Sequence, residues 1–275
     1  MTIGIIGIRG VYGQWFKAFF EAQGHTVIGS GRTTPLKNKD VVEQSDIVIF
    51  SMKPMRDVPK EMLALAPYAK AGQLWIDITG LKEDVAKAAT NIKKNGIDFL
   101  SFHPMFAPAG TDWKGKNVIV TEYPTSEKWR IWADDFLAVT GAVVSKCSPK
   151  AHDERMALIQ ALPHAVALVS ASVLRGSTSD PKNIFDSATP VYKGLFSLMT
   201  RILSKNPELY AEIQMDNGFV VKVLGRLIKE MQSFKKVVAT KNDKKFIAEF
   251  LKNKEYFGDE LLKEGAALFE DMHFK

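Results

Sequence analysis

The chain has 275 residues, 46% hydrophobic and 25% charged, a globular composition with enough apolar material for one large core or two ordinary ones. Its formal charge of +6 and pI near 9.2 do not point to nucleic acid. The C-terminal lysines are interleaved with acids, as in Lys241-Asn-Asp-Lys-Lys-Phe-Ile-Ala-Glu249, which is a solvated helix face, and the excess charge suits a small anionic ligand. A single cysteine, Cys147, makes a reducing, cytoplasmic setting the expectation. No targeting segment and no membrane partner are expected either, because the apolar start breaks at Gly4 and Gly7 and no run approaches the roughly 18 residues of a span.

In chain order, the first half alternates short apolar runs with helical patterns. Strands are predicted at residues 3–7, 26–29, 46–50, 74–78, 97–102, 117–121 and 142–145. Helices are predicted over 11–23, through Met62 and Leu65, over 84–94 and over 126–139. Continuous apolar strands separated by helices predict a mostly parallel sheet covered on both faces, a doubly wound α/β (Rossmann-like) domain. Near Ser148-Pro149 the strands stop. Helical patterns follow at 153–174, with Met156, Ile159, Leu162, Val166 and Val169 on one side, and then at 190–203, 207–215, 219–238 and 243–264. The predicted division is a dinucleotide-binding domain over 1–148 and an all-α domain over 149–275.

Chemistry gathers at the strand ends. Gly7-Ile8-Arg9-Gly10-Val11-Tyr12-Gly13 lies between the first strand and the first helix, where glycines let backbone approach a pyrophosphate and the helix start supplies amide donors. The spacing is G-x-x-G-x-x-G, with Ile8 where a glycine could stand. An acid after the second strand would bond the ribose 2′-hydroxyl of NAD. Here Ser30-Gly31-Arg32-Thr33-Thr34 stands instead, a set better suited to a 2′-phosphate, so the expected cofactor is NADP or NAD, with NADP favoured. Ser51-Met52, Thr79 to Lys82, and His103 follow the third, fourth and fifth strands, at the sheet edge where such folds bind ligands. His103 sits in Ser101-Phe-His-Pro-Met-Phe-Ala-Pro108 as a group able to take a proton near neutral pH; a core histidine bonded to a carbonyl is the bland alternative. His152-Asp153 opens a helix and reads equally as a cap. His164 lies on an apolar helix, as core or site. Arg201, on the core side of its helix, calls for an anionic partner, Glu208 or a substrate carboxylate. No metal-ligand cluster is read.

Taken together, the glycine loop, Asp77-x-x-x-x-Lys82, His103-Pro-Met-Phe, His152-Asp153 with Ile159-Gln-Ala-Leu-x-His164, and Asn206-Pro-Glu-Leu-Tyr-Ala-Glu-Ile213 resemble the prephenate dehydrogenase family of tyrosine biosynthesis, in family order over nearly the whole chain. The likeness is strongest to the dehydrogenase part of the bifunctional enzymes that also carry chorismate mutase. It implies an oxidative decarboxylation of prephenate to 4-hydroxyphenylpyruvate with NAD(P), in a homodimer formed by the helical domain. By this resemblance His103 is the base at the ring hydroxyl. Arg201 and Lys82 bind substrate, and His152 and His164 line its cavity. Two positions depart from the pattern. Gly80 replaces a serine, with Thr79 beside it as the stand-in, and Lys193 replaces an arginine. Arogenate dehydrogenase, another hydroxyacid or imine oxidoreductase on this two-domain plan, and a non-catalytic nucleotide-binding relative are the other readings.

Overall fold

A computed structural model describes residues 1–107, 113–177 and 180–271; Pro108 of the His103 stretch lies outside them. Seven strands form one sheet in the order β2-β1-β3-β4-β5-β6-β7. They are β1 (Thr2–Ile6), β2 (Thr26–Ser30), β3 (Ile47–Phe50), β4 (Leu74–Asp77), β5 (Asp98–Pro104), β6 (Asn117–Thr121) and β7 (Val143–Cys147). β1 to β5 pair in parallel, β6 runs antiparallel to β5, and β7 is parallel to β6. The reversal has a simple cause. A parallel neighbour needs a crossover, usually a helix, and the described residues between β5 and β6 contain none.

Alternation along the strands builds two cores. Ile3, Ile5, Ile47 and Ile49 face one side, where Trp15, Phe16 and Phe20 of α1 (Val11–Ala22) and Phe136 of α5 (Glu127–Thr140) cover them. Ile6, Val48 and Phe50 face the other side. There they meet α2 (Asn38–Gln44), α3 (Val58–Leu65) and α4 (Glu83–Ile92) through Val41, Met62 and Val85. α2 was not predicted. It is a seven-residue helix whose start is held by Asp40 accepting the Lys37 amide at 2.8 Å, too short to show a helical period.

The chain divides into two compact units, one of residues 1–156 with 211–217, the other of 157–210 with 218–275. The first unit runs on past residue 148 to residue 156. α6 (Pro149–Met156) belongs with the sheet, because His152, Asp153 and Met156 are buried there, and so does the second half of α10 (Pro207–Met215). A change from strands to helices marks composition, whereas a compact unit is set by which side chains are buried together.

The second unit begins with a π-helical turn at Ala157–Ala161 and α7 (Leu162–Ser177). The wide turn falls just before Pro163, which has no N–H to donate to residue 159. Then come α8 (Pro181–Asp186), a short helix capped by Asp180 with Pro181 at its first position, α9 (Pro190–Leu203), α11 (Val220–Ala239) and α12 (Asp243–Glu270). Ala167, Met199 and Ile202 form a small core there. One expectation is corrected. The continuous helix Pro149–Ser177 is long and apolar enough to span a membrane by length and composition, with mean hydropathy 1.7 over its best window and 22% of that window buried. Asp153, Glu154, Arg155 and Pro163 interrupt the run when it is read as a string, but the window beyond the charges passes. Ile159, Val166 and Val169 are exposed whereas Met156 is buried, so the predicted apolar row is only partly buried within its own chain.

Candidate active site

The first unit gathers its reactive side chains at the carboxyl ends of β1, β3, β4 and β5. The glycine loop leaves β1 first. Gly7 has φ +89°, and a Cβ there would lie 2.6 Å from the Ser51 carbonyl oxygen; a Cβ on Gly13 would collide with the Gly7 carbonyl oxygen. Both glycines are thus demanded by close backbone packing. Ser30 holds the loop from β2, its carbonyl accepting Gly7 N–H at 2.9 Å and Ile8 N–H at 3.1 Å. Ile8 turns its side chain onto Gly29, whose bare Cα makes the room, so the non-glycine in the motif packs inward. Gly10 begins α1 with no side-chain cap, and no acid stands in the first turn. Arg9, Gly10 and Val11 are exposed. These features fit a dinucleotide pyrophosphate, which needs backbone donors at a bare helix start.

At the end of β2, Arg32 and Thr33 are exposed, and the Arg9 side chain passes within 3.8 Å of where a Gly31 Cβ would stand. Ser30 is different. It is buried, and its hydroxyl donates to Asn38 Oδ1 at 2.6 Å, so it shapes the loop rather than offering a free hydroxyl. Ser51 and Met52 are half-buried with their backbone against Gly7. Tyr12 bridges to the loop after β5, where its hydroxyl donates to the carbonyls of Phe106 and, at 3.4 Å, Pro104.

His103 lies on β5, paired with Ile119 of β6, and is 7% exposed. Its Nδ1 is 2.9 Å from His152 Nε2, and His152 Nδ1 is 2.7 Å from Asp153 Oδ1. Asp153 also accepts the Lys82 amide at 2.9 and 3.1 Å and the Glu83 amide at 2.9 Å, which are the first amides of α4. A carboxylate at a helix start is well placed. Because it only accepts, His152 must donate from Nδ1, which leaves its Nε2 as the acceptor for His103 Nδ1–H. His103 Nε2 then carries a lone pair, and no described residue bonds it. Burial pushes His103 well below the usual imidazole value, and His152 and Lys82 nearby act the same way. Burial also lowers His152, opposed in part by Asp153.

Behind this relay Lys82 is fully buried. Its ammonium donates to Asp77 Oδ2 at 2.6 Å and to the Phe102 carbonyl at 2.8 Å. Ser101 Oγ adds a bond to the same Asp77 oxygen at 2.8 Å. Lys82 was expected to bind substrate; in the structure it braces the strand that carries His103. Burial lowers its pKa, against the pull of Asp77. Thr79, the expected stand-in for a serine, is buried, with its hydroxyl donated to the Leu81 carbonyl at 2.7 Å. A Cβ on Gly80 would instead lie 3.5 Å from His103 Nε2. Sequence reasoning missed Asp153 and Asp77 as site residues. The His-Asp pair and the Asp-x-x-x-x-Lys spacing were the available signals.

Arg201 and His164 belong to the other unit. Arg201 is exposed and makes no ion pair with Glu208 among the described residues, so the expected core-side partner is not there: the charged end of α9 faces outward. His164 stacks edge-on against Tyr210 at 4.9 Å, with Nδ1 buried and lacking a bond, and burial lowers its pKa.

Two family models match the chain, "Prephenate dehydrogenase, nucleotide-binding domain" over residues 27–146 and "Prephenate dehydrogenase, dimerization domain" over 148–253. Among curated proteins it is 29% identical to a probable arogenate/prephenate dehydrogenase of Methanocaldococcus jannaschii, over 97% of this chain and 63% of that one. It is 26% identical to the T-protein of Haemophilus influenzae, over 98% and 71%. Among solved structures, Synechocystis arogenate dehydrogenase superposes with TM-score 0.71 at 17% identity, covering 94% of this chain and all of that one. Prephenate dehydrogenase from A. aeolicus, in complex with hydroxyphenyl propionate and NAD+, superposes with TM-score 0.70 at 22% identity, over 92% and 95%. The chain spans less than two thirds of the archaeal relative's length. The structural likenesses establish the fold.

Proposed function

Because the chain belongs to the prephenate dehydrogenase family, we propose that it oxidises the ring hydroxyl of prephenate with a nicotinamide dinucleotide, releasing carbon dioxide and 4-hydroxyphenylpyruvate. The observation that carries this reading is the His103–His152–Asp153 relay, which leaves one imidazole nitrogen unprotonated and unbonded at the sheet edge. When bound, the cofactor supplies the acceptor for the hydride that leaves the carbinol carbon, and loss of carbon dioxide makes the ring aromatic.

The chain's own residues do the rest. The amides at the start of α1 and the Gly7–Gly13 loop hold the pyrophosphate. Arg32 would hold the 2′-phosphate, with the Arg9 side chain near the neighbouring Gly31. An exposed guanidinium and the absence of an acid after β2 support NADP over NAD. His103 accepts the hydroxyl proton at Nε2. His152 holds it in the right tautomer and Asp153 fixes His152, following the logic of a positioned base. Arg201, exposed and in no ion pair among the described residues, and His164 keep the substrate-binding roles that the family resemblance gives them. The exposed apolar row of α7 is assigned to a second copy of the chain. Its place within the stretch matched by a dimerization domain supports that.

One assay matrix tests the reading. Prephenate and arogenate are each paired with NADP and NAD, and reduced cofactor is followed by absorbance. Turnover is expected with NADP and at least one of the two substrates. Silence in every pairing would overturn the assignment. Arg32→Ala should raise the KM for NADP more than that for NAD; an equal effect removes the preference.

A further inference from the structure

The loop after β3 places one more side chain at the base. Three facts locate it. The Gly80 amide donates to Met55 Sδ at 3.4 Å. A Cβ on Gly80 would meet His103 Nε2 at 3.5 Å, His103 Cε1 at 3.7 Å and the Met55 methyl at 3.8 Å. The Met55 amide donates to Glu212 Oε2 at 3.3 Å. The first two facts put the Met55 methyl and the free nitrogen of His103 within 4 Å of one point. The third anchors the backbone of Met55. Glu212 is 3% exposed, and Arg56 Nε stands 3.5 Å from its other oxygen and 3.1 Å from Asp216. The thioether is therefore held at its sulfur and at its own amide, with little freedom to swing aside.

We propose that Met55 is a specificity-determining residue of this site, forming the apolar wall past which a hydroxyl reaches His103 Nε2, with Gly80 beside both groups. The proposal rests on the reading of His103 as base in a prephenate-type oxidation and deepens it by naming the kind of alcohol accepted. A hydroxyl on a hydrocarbon ring carbon can bring its apolar neighbours against the thioether, a soft and adaptable surface. A 2-hydroxy acid has a carboxylate on the carbinol carbon itself. That charge would be pressed against the methyl and lose its water without gaining a partner. Prephenate meets the requirement, since its ring carboxylate is across the ring from the hydroxyl. The wall also keeps water from the base's free nitrogen.

The experiment is a double-mutant cycle on the full chain with prephenate and saturating NADP. Met55→Ala should lower kcat/KM by about ten- to a hundred-fold, the range for lost apolar packing against a reacting substrate. The KM for NADP and the unfolding temperature should stay within error of wild type. Met55→Leu keeps the volume and should recover most of the loss. Gly80→Ser would add an Oγ beside both groups, so its effect on kcat/KM should depend on the side chain at 55, and Gly80→Ser/Met55→Ala should depart from the sum of the two single effects. If wild type turns over prephenate or arogenate but Met55→Ala matches it within twofold, or if the two effects simply add, Met55 is not the wall. If wild type turns over neither compound, the reading of the site and this proposal fall together.

Discussion

His103 can act as a base only while Nε2 holds the lone pair, and a residue it does not touch decides that. Asp153 fixes His152, and His152 fixes His103. His103→Asn should lower kcat by about 10²–10⁴-fold with substrate still bound; unchanged turnover would remove His103 from the reaction. Asp153→Asn can donate as well as accept, so it lets the relay reverse its tautomers. Its kcat should approach that of His103→Asn while KM values hold, and a wild-type kcat would break the relay. The buried histidines also set the pH behaviour. Both His103 and His152 sit below the ordinary imidazole value of about 6.5, so the acid limb of kcat/KM should fall below that pH. The unfolded chain binds protons there that the folded chain does not. Stability is therefore fully present above about pH 6.5 and should decline as pH falls from there toward the lower folded values, by up to roughly 1.4 kcal/mol per pH unit for each histidine. A urea midpoint that held constant from pH 7 to about pH 5 would contradict these shifts.

At the scale of elements, the site depends on strand ends that are braced from behind. β4 contributes Asp77, β5 contributes Ser101 and His103, and the loop between β4 and α4 sends Lys82 back between them. The pair has no contact with solvent, so removing one partner leaves an uncompensated buried charge. Lys82→Met should destabilise the fold by about 3–5 kcal/mol, read from urea unfolding, with Lys82→Met/Asp77→Asn recovering much of the loss. If the single variant were as stable as wild type, Lys82 would be free to serve the substrate directly. Much of this arrangement was legible beforehand. Alternating apolar runs placed β1 to β7 within a residue or two, because period-2 burial on both faces leaves few other ways to read Ile47-Val-Ile-Phe50. The glycines of 7–13 were legible for the same reason, since only close backbone packing demands them there. α2 was not, because seven residues show less than two helical periods, and α8 was marked only at its start, by Asp180-Pro181.

For the whole molecule, the unsettled surface is that of the second unit. Its core is small, while α7, α11 and α12 expose Val169, Val173, Ile228, Phe250 and Leu261. Exposed apolar side chains in such number mark a surface for burial against a partner. Sedimentation should give twice the 30.6 kDa chain mass, and Val169→Asp should shift the balance toward single chains. A monomer at micromolar concentration would leave that surface unexplained and remove the dimer.

The sequence by itself determined the family, the sheet with its glycine loop, the passage to an all-helical second half, and His103 as the histidine to watch. Each of these is written in residues near one another along the chain, where local propensity, periodicity and backbone packing act. Tertiary structure alone decided that α6 packs with the sheet and that Lys82 faces Asp77 rather than solvent. It alone showed that Asp153 caps α4 while bonding His152, and that Met55 stands beside Gly80. Those outcomes join residues up to 71 positions apart. They turn on which polar groups can find partners once water is excluded, and that is known only when the core has closed.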